Sequence, residues 1–227
     1  MALRFTTSDV AAQLHGVKVL VYGDAGVGKT VLCSTAPTPI ILSAEAGLLS
    51  LRKFQIPVIM INTVDDLRDA HAWCLQSKEA QQFQTICLDS ISEIAETVLT
   101  NAKRQVKDPR QAYGDLITQM EQVIKLYRDL PGKHVYFSAK MEPQKDELTG
   151  VVKYLPSMPG SKLGPKLPYY FDEVFRLGIN KTAQGQEYRY LQTQPDMQYS
   201  AKDRSGALAA VEQPHLTNIF NKIHQGA

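Results

Sequence analysis

The stretch Lys18-Val-Leu-Val-Tyr22-Gly23-Asp-Ala-Gly-Val-Gly28-Lys29-Thr30-Val31 decides how the rest of this chain is read. Residues Val17 to Tyr22 form a short apolar, β-branched run, the pattern of a buried strand, and lead straight into a glycine-rich turn. From Gly23 to Thr30 that turn matches GxxxxGK[ST] without a mismatch. The spacing has a physical reason. Glycines let the loop turn tightly, so that successive backbone N–H groups face one anion, and a helix beginning near Lys29 adds the positive end of its dipole. Lys29 can reach the β- and γ-phosphates of a nucleoside triphosphate, while the Thr30 hydroxyl can ligate Mg²⁺. The expected binding set is therefore Gly23, Asp24, Ala25, Gly26, Val27, Gly28, Lys29, Thr30 and Val31, with ATP and Mg²⁺ as ligands.

Outward from this turn, strands and helices alternate. The helix from Lys29 stops before Pro37 and Pro39, which cannot continue it. Strands are expected at 39–43, 58–61 and 85–89. A helix should begin at Thr63, where a capping hydroxyl precedes two aspartates, and another should run from Ser90 to about Lys107 with Ile91, Ile94, Val98 and Ala102 on one face. A long amphipathic helix follows the break at 107–110, carrying Leu116, Met120, Val123, Ile124 and Tyr127 and ending before Pro131-Gly132. His134 to Ser138 is the next strand.

Beyond it the composition changes. Residues 142–168 hold prolines at 143, 156, 159, 165 and 168 and glycines at 150, 160 and 164, which argues for hairpins and loops. Antiparallel strands are expected at 174–179, 187–193 and 197–201 around the turn at 183–185, and a last helix at 216–224. The fold class is α/β: a mostly parallel sheet with helices on both faces, extended by antiparallel strands in the C-terminal third. One domain spanning 1–227 is expected, with a nucleotide-binding core at 17–140, loops and the antiparallel extension at 141–212, and a C-terminal helix at 213–227.

The formal charge of +2 is too small to advertise a nucleic-acid partner, though it leaves room for a local basic surface. Cys33, Cys74 and Cys87 form no CxxC or metal spacing and suit reduced thiols packed as small hydrophobes. The first nine residues carry no apolar leader, and no apolar run approaches the ~20 residues that span a bilayer, so a soluble cytoplasmic protein is expected.

A phosphate turn needs an acid at the end of a neighbouring strand. Thr85-Ile-Cys-Leu-Asp89 supplies one at the carboxyl edge, where open α/β sheets bind ligands, and Asp89 is expected to hold the magnesium. The alternative is that Asp89 or Ser90 only caps the following helix. Hydrolysis also needs a group that deprotonates water. Glu45, ending Ile40-Ile-Leu-Ser-Ala-Glu45, is a candidate, although from the residues alone an acid there is more often a solvated loop residue than a base.

Taken together, the phosphate turn, the strand ending Ser-Ala-Glu45 and the strand ending Leu-Asp89-Ser90 resemble the RecA-like ATPase core. From residue 17 to about 212 the chain looks like the minimal RecA/RadB-like ATPases of bacteriophages, the single-strand annealing recombinases of the Sak-four type. Glu45-Ala-Gly47, Tyr113-Gly114, Leu167-Pro168, Phe171-Asp-Glu-Val174 and Ala201-Lys-Asp-Arg-Ser-Gly206 take part in the likeness. It implies that Glu45 is the catalytic base. It also implies that Lys202 and Arg204, otherwise part of a polar turn, enter a neighbouring subunit's site as γ-phosphate cations in a ring or filament. Ser138 or Lys140 stands where RecA-like proteins sense the γ-phosphate, although RecA has glutamine there.

Two stretches are locally basic. Lys103, Arg104, Lys107 and Arg110 surround only Asp108, and 151–170 holds Lys153, Lys162 and Lys166 with Tyr154, Tyr169 and Tyr170 and no acid. Cations and stacking rings are what single-stranded DNA binding uses, and the resemblance places DNA loops in this region; a solvated loop whose tyrosines pack at the base of the sheet is the alternative. The implied activity is DNA-stimulated ATP hydrolysis in annealing or recombination by a homo-oligomer, with single-stranded DNA and a single-strand-binding protein as partners and no membrane. A helicase-like or clock-type ring motor, a small phosphotransferase and a nucleotide-switched binding protein are the rivals. The phosphotransferase is disfavoured because no arginine cluster precedes Arg176 after Ser138.

Overall fold

The computed structural model describes residues 7, 16–45 and 48–226. The first nine residues, apart from Thr7, and Ala46 and Gly47 of the Glu45-Ala-Gly motif lie outside them. The strands are β1 (Lys18–Gly23), β2 (Pro39–Ser43), β3 (Val58–Met60), β4 (Thr85–Asp89), β5 (His134–Lys145), β6 (Val152–Pro156), β7 (Glu173–Lys181), β8 (Glu187–Gln192), β9 (Lys202–Asp203) and β10 (Val211–Glu212). The α-helices are α1 (Lys29–Leu32), α2 (Val64–Gln76), α3 (Ile91–Gln105), α4 (Pro109–Arg128), α5 (Leu167–Tyr170) and α6 (Leu216–Gln225).

The sheet runs β10-β8-β7-β1-β5-β4-β2-β3. From β7 to β3 every pairing is parallel. β8 and β10 are antiparallel additions beyond β7, β9 pairs antiparallel with β7, and β6 folds back on the far half of β5. This is the mostly parallel α/β sheet with antiparallel additions that was expected, with β1 at its centre. Parallel strands need both faces covered, and alternate residues go to two separate cores. Leu20, Tyr22, Leu42, Leu88 and Phe137 pack under α2, α3 and α4, whereas Val19, Val21, Ile41, Cys87 and Tyr136 pack with α1 and α6. All three cysteines are buried and unpaired.

Local chemistry sets the helix boundaries. Thr63 and Asp66 form a reciprocal capping box at the start of α2. Asp108 caps α4 with Pro109 in its first turn, so the basic break at 107–110 is a helix junction. Two expectations need correction. β5 does not stop at Ser138 but continues to Lys145, because β6 pairs with its outer half. Residues 197–201 make only an isolated bridge from Tyr199 to Tyr154, and the strand there is the two-residue β9. On α2, Leu67, Ala70 and Cys74 face the core, and Leu75 faces solvent. Among the described residues, no helix is long and apolar enough to cross a membrane.

Candidate nucleotide site

β1 ends at Gly23 with its neighbour's backbone so close that a Cβ there would lie 2.6 Å from the Leu177 carbonyl oxygen. The turn then passes through the left-handed region twice, at Gly26 (φ 73°) and Gly28 (φ 110°), which L side chains rarely adopt. α1 is a single turn, prolonged only by a 3-10 turn to Thr35, so the helix that follows the glycine turn is short and carries few aligned peptide dipoles. Lys29 Nζ donates to the carbonyl oxygens of Gly23 (2.7 Å) and Asp24 (2.8 Å), folding its side chain over the turn. Burial lowers the Lys29 pKa, and the carboxylates of Asp89 and Glu45 oppose that shift.

Asp89 ends β4 and is 3% exposed. The β4–β5 register pairs Leu88 with Phe137, which sets Asp89 beside Ser138, and the Ser138 hydroxyl donates to Asp89 Oδ1. Ser90 carries the helix cap, its Oγ accepting from Glu93 N at 3.3 Å, so the capping alternative for Asp89 falls away. The same hydroxyl donates to Glu45 Oε1 at 3.1 Å and ties the end of β2 to the end of β4. The Ser43 hydroxyl contacts both the N–H and the carbonyl of Glu45 at 3.1 Å, fixing its backbone. The Asp89–Ser90 peptide is cis.

Gly23 to Gly26, Gly28 to Val31, Glu45, Asp89, Ser90, Glu93, Lys140 and Arg189 surround one cavity of about 750 Å³, within the range of small-ligand sites. Asp89 and Thr30 fit Mg²⁺ in the usual protein manner: one carboxylate and one hydroxyl, with the remaining oxygens left to phosphate and water. Among the described residues, no cluster of three His, Cys, Asp or Glu could hold a metal unaided. Lys140 reaches the cavity rim and pairs with Glu93, which raises its pKa; Ser138 is occupied by Asp89. Arg189 escaped sequence reading. It sits in a strand reading Glu-Tyr-Arg-Tyr-Leu-Gln, where nothing sets it apart from a solvated surface arginine.

Lys202 and Arg204 lie elsewhere. Val174 pairs with Lys202, and β7 and β1 are aligned at Glu173 and Val19. Glu173 therefore marks the amino end of the sheet, four strand residues or roughly 13 Å from Gly23. Lys202 Nζ is held by the carbonyl oxygens of Pro168 (2.7 Å) and Phe171. Arg204 Nη1 binds Asp172 Oδ1 at 2.7 Å on the surface. Neither lines the cavity of its own chain.

Lys153, Lys162 and Lys166, the lysines expected to meet DNA, are all exposed, and Lys153 and Lys166 are differently engaged. Lys166 pairs with Glu121 of α4 at 3.0 Å, an acid that the local sequence did not show. Lys153 borders a small groove with Tyr169 and Tyr199. Tyr154 stacks on Tyr199 with centroids 5.1 Å apart, and its carbonyl accepts from the Tyr22 hydroxyl, so this ring belongs to the sheet's packing. Tyr170 lies beneath Lys125, and only Tyr169, 82% exposed, stands free of the protein. Lys103 covers the ring of Tyr113.

Comparison with solved structures finds a KaiC-like protein from the hyperthermophilic archaeon Pyrococcus horikoshii OT3, 14% identical, with 78% of each chain covered and a TM-score of 0.47. No curated protein matches the chain. A sequence model of the AAA domain matches residues 15–205, from the start of β1 through the Lys-Asp-Arg turn, and the chain belongs to that family.

Proposed function

We propose that the chain is a Mg²⁺-dependent ATPase of RecA-like type that binds single-stranded DNA and assists annealing during recombination, acting as a homo-oligomer. One observation carries the ATPase reading: the phosphate turn, Asp89 and Glu45 border one cavity, with Ser90 linking the two acidic strand ends. The turn's amides and Lys29 bind the β- and γ-phosphates, and Thr30 and Asp89 hold the metal. Bound Mg²⁺ would neutralise charge developing on the phosphate oxygens. Glu45 takes a proton from water as the water oxygen attacks the γ-phosphorus, the bond to the β-phosphate oxygen breaks, and ADP and phosphate leave. Arg204 serves a neighbour's site, since its position at the opposite end of the sheet keeps it from its own. Lys202, braced by two carbonyls, holds the turn that presents it.

For DNA, what supports the reading is continuity. β5 passes from Ser138, against Asp89, through Lys140 at the cavity rim and into the β5–β6 ribbon that carries Lys153. A strand spanning both places can relay nucleotide contacts to DNA contacts. The test is ATP turnover with and without single-stranded DNA across salt concentrations. Stimulation that fades steeply as salt rises supports the reading; turnover indifferent to DNA at every salt concentration removes the DNA half and leaves an ATPase.

A further inference from the structure

β7 and β8 extend past the phosphate turn as a hairpin closed at 182–186. Gly23 stands beside Leu177 of β7, and Arg189 is paired with Ile179 two residues further out. From there the Arg189 side chain crosses to the turn, and its Nε donates to the Val27 carbonyl oxygen at 2.7 Å. Gly28 leaves room for this. A Cβ at Gly28 would sit 3.2 Å from Arg189 Nε and 3.5 Å from its Cδ, so glycine there serves both the backbone turn and the crossing arginine.

We infer that Arg189 is an in-chain phosphate ligand of the nucleotide site: Nε braces the turn through Val27, and the two terminal amino groups bind the polyphosphate. This rests on the nucleotide reading above and deepens it. Arg189 borders the cavity together with Lys29 and Lys140. The other two cations have partners there, Lys29 on the turn's carbonyls and Lys140 on Glu93. Among the described residues Arg189 has no carboxylate partner, and its terminal nitrogens have no hydrogen-bond acceptor. A planar guanidinium anchored by Nε presents its remaining N–H groups as a fork, the geometry that suits phosphate oxygens. The cavity rim also carries Asp24, Glu45, Asp89 and Glu93. A second unneutralised cation beside Lys29 balances those carboxylates against an incoming anion.

The experiment measures binding of fluorescent ATP, ADP and AMP analogues, with Mg²⁺, to the wild type and to Arg189→Ala, Arg189→Lys and Lys29→Ala, with melting temperatures of the nucleotide-free proteins. Arg189→Ala should weaken ATP and ADP binding about tenfold or more and AMP binding much less, while losing the brace on Val27 lowers the nucleotide-free melting temperature only slightly. Arg189→Lys keeps the charge without the fork and should recover only part of the loss. Equal weakening for all three nucleotides would mean that Arg189 only braces the turn, which overturns the phosphate contact. ATP affinity in Arg189→Ala within twofold of wild type overturns it as well, provided that Lys29→Ala has lost binding. Wild-type protein that binds none of the analogues overturns the nucleotide reading itself.

Discussion

Ser138 on β5 donates its hydroxyl to the carboxylate of Asp89 on β4, and both side chains are almost wholly buried. A carboxylate kept so far from water needs donors, and Ser138 supplies one while the other oxygen remains available to a metal. Ser138→Ala removes that donor and leaves the strand pairing intact. The expected outcome is a 10- to 100-fold rise in the Mg²⁺ concentration for half-maximal turnover, with metal-free nucleotide binding unchanged. A magnesium titration of ATP hydrolysis checks it.

Glu45, just beyond the end of β2, meets Ser90, just beyond the end of the adjacent strand β4. Glu45→Gln keeps a hydrogen-bonding side chain of the same size but no base. Turnover should fall about 10²- to 10⁴-fold while ATP affinity stays within about twofold. Ser90→Ala differs because it removes the α3 cap as well as the Glu45 anchor. It should cost about 1 kcal/mol of stability in addition to a loss of turnover. Urea midpoints measured beside rates separate the two effects.

The phosphate turn, Asp89 and the order of strands and helices were legible because each depends on neighbours in sequence: glycines in a tight turn, an apolar run ending in an acid, a cap before a periodic stretch. What was not legible depends on pairing across the sheet. The Lys166–Glu121 ion pair joins positions 45 residues apart, and Arg189 reaches Val27 across 162. The ordered outer half of β5 arises only because residues 152–156 return to pair with it, and proline and glycine in that region predict irregular chain when read locally. Tyr154 reads either as a base-stacking ring or as packing at the base of the sheet; it is stacked on Tyr199, a partner 45 residues away that local sequence does not name.

Lys153 and Lys166 look equivalent in sequence and are not in the fold. Lys166 shares its charge with Glu121, whereas Lys153 borders the groove with Tyr169 and Tyr199 and has no ion-pair partner among the described residues. Removing one cation that neutralises a DNA phosphate reduces the slope of log affinity against log salt by about one. Lys153→Ala should show that reduction with single-stranded DNA, and Lys166→Ala much less. Fluorescence anisotropy across a salt series gives both slopes.

Arg204 and Lys29 sit at opposite ends of the sheet, which makes a complementation test possible. The Arg204–Asp172 pair is largely exposed, so Arg204→Ala should cost less than about 1 kcal/mol of stability. Its ATPase activity should nevertheless fall by roughly 10³-fold or more if the guanidinium serves a neighbour. Lys29→Ala should be equally inactive through loss of nucleotide binding. Mixing the two restores some sites that combine an intact phosphate turn with an intact Arg204, and activity should return to a fraction of wild type. If the mixture stays inactive although the subunits co-assemble, Arg204 does not act between subunits.

His134 gives the fold an acid sensitivity separate from the carboxylates of the site. Its Nδ1 accepts the Val17 N–H at 3.0 Å at the entry to β1, and its ring stacks on Phe220 of α6 with centroids 4.4 Å apart. Burial, with His224 and Lys18 nearby, lowers its pKa from 6.5 to about 4. The folded chain therefore takes up this proton less readily than the unfolded chain. The stability it contributes is complete above pH 6.5, is lost as pH falls from 6.5 towards 4, and changes no further below that. Allowing for solvent screening of a half-buried ring, the loss is on the order of 2 kcal/mol. His134→Phe keeps the stack on Phe220 but leaves Val17 N–H without its acceptor. It should be less stable at pH 7 and show a flatter decline between pH 6.5 and 4, measured as the urea midpoint at each pH. An unchanged slope in that window would assign the acid sensitivity to other groups.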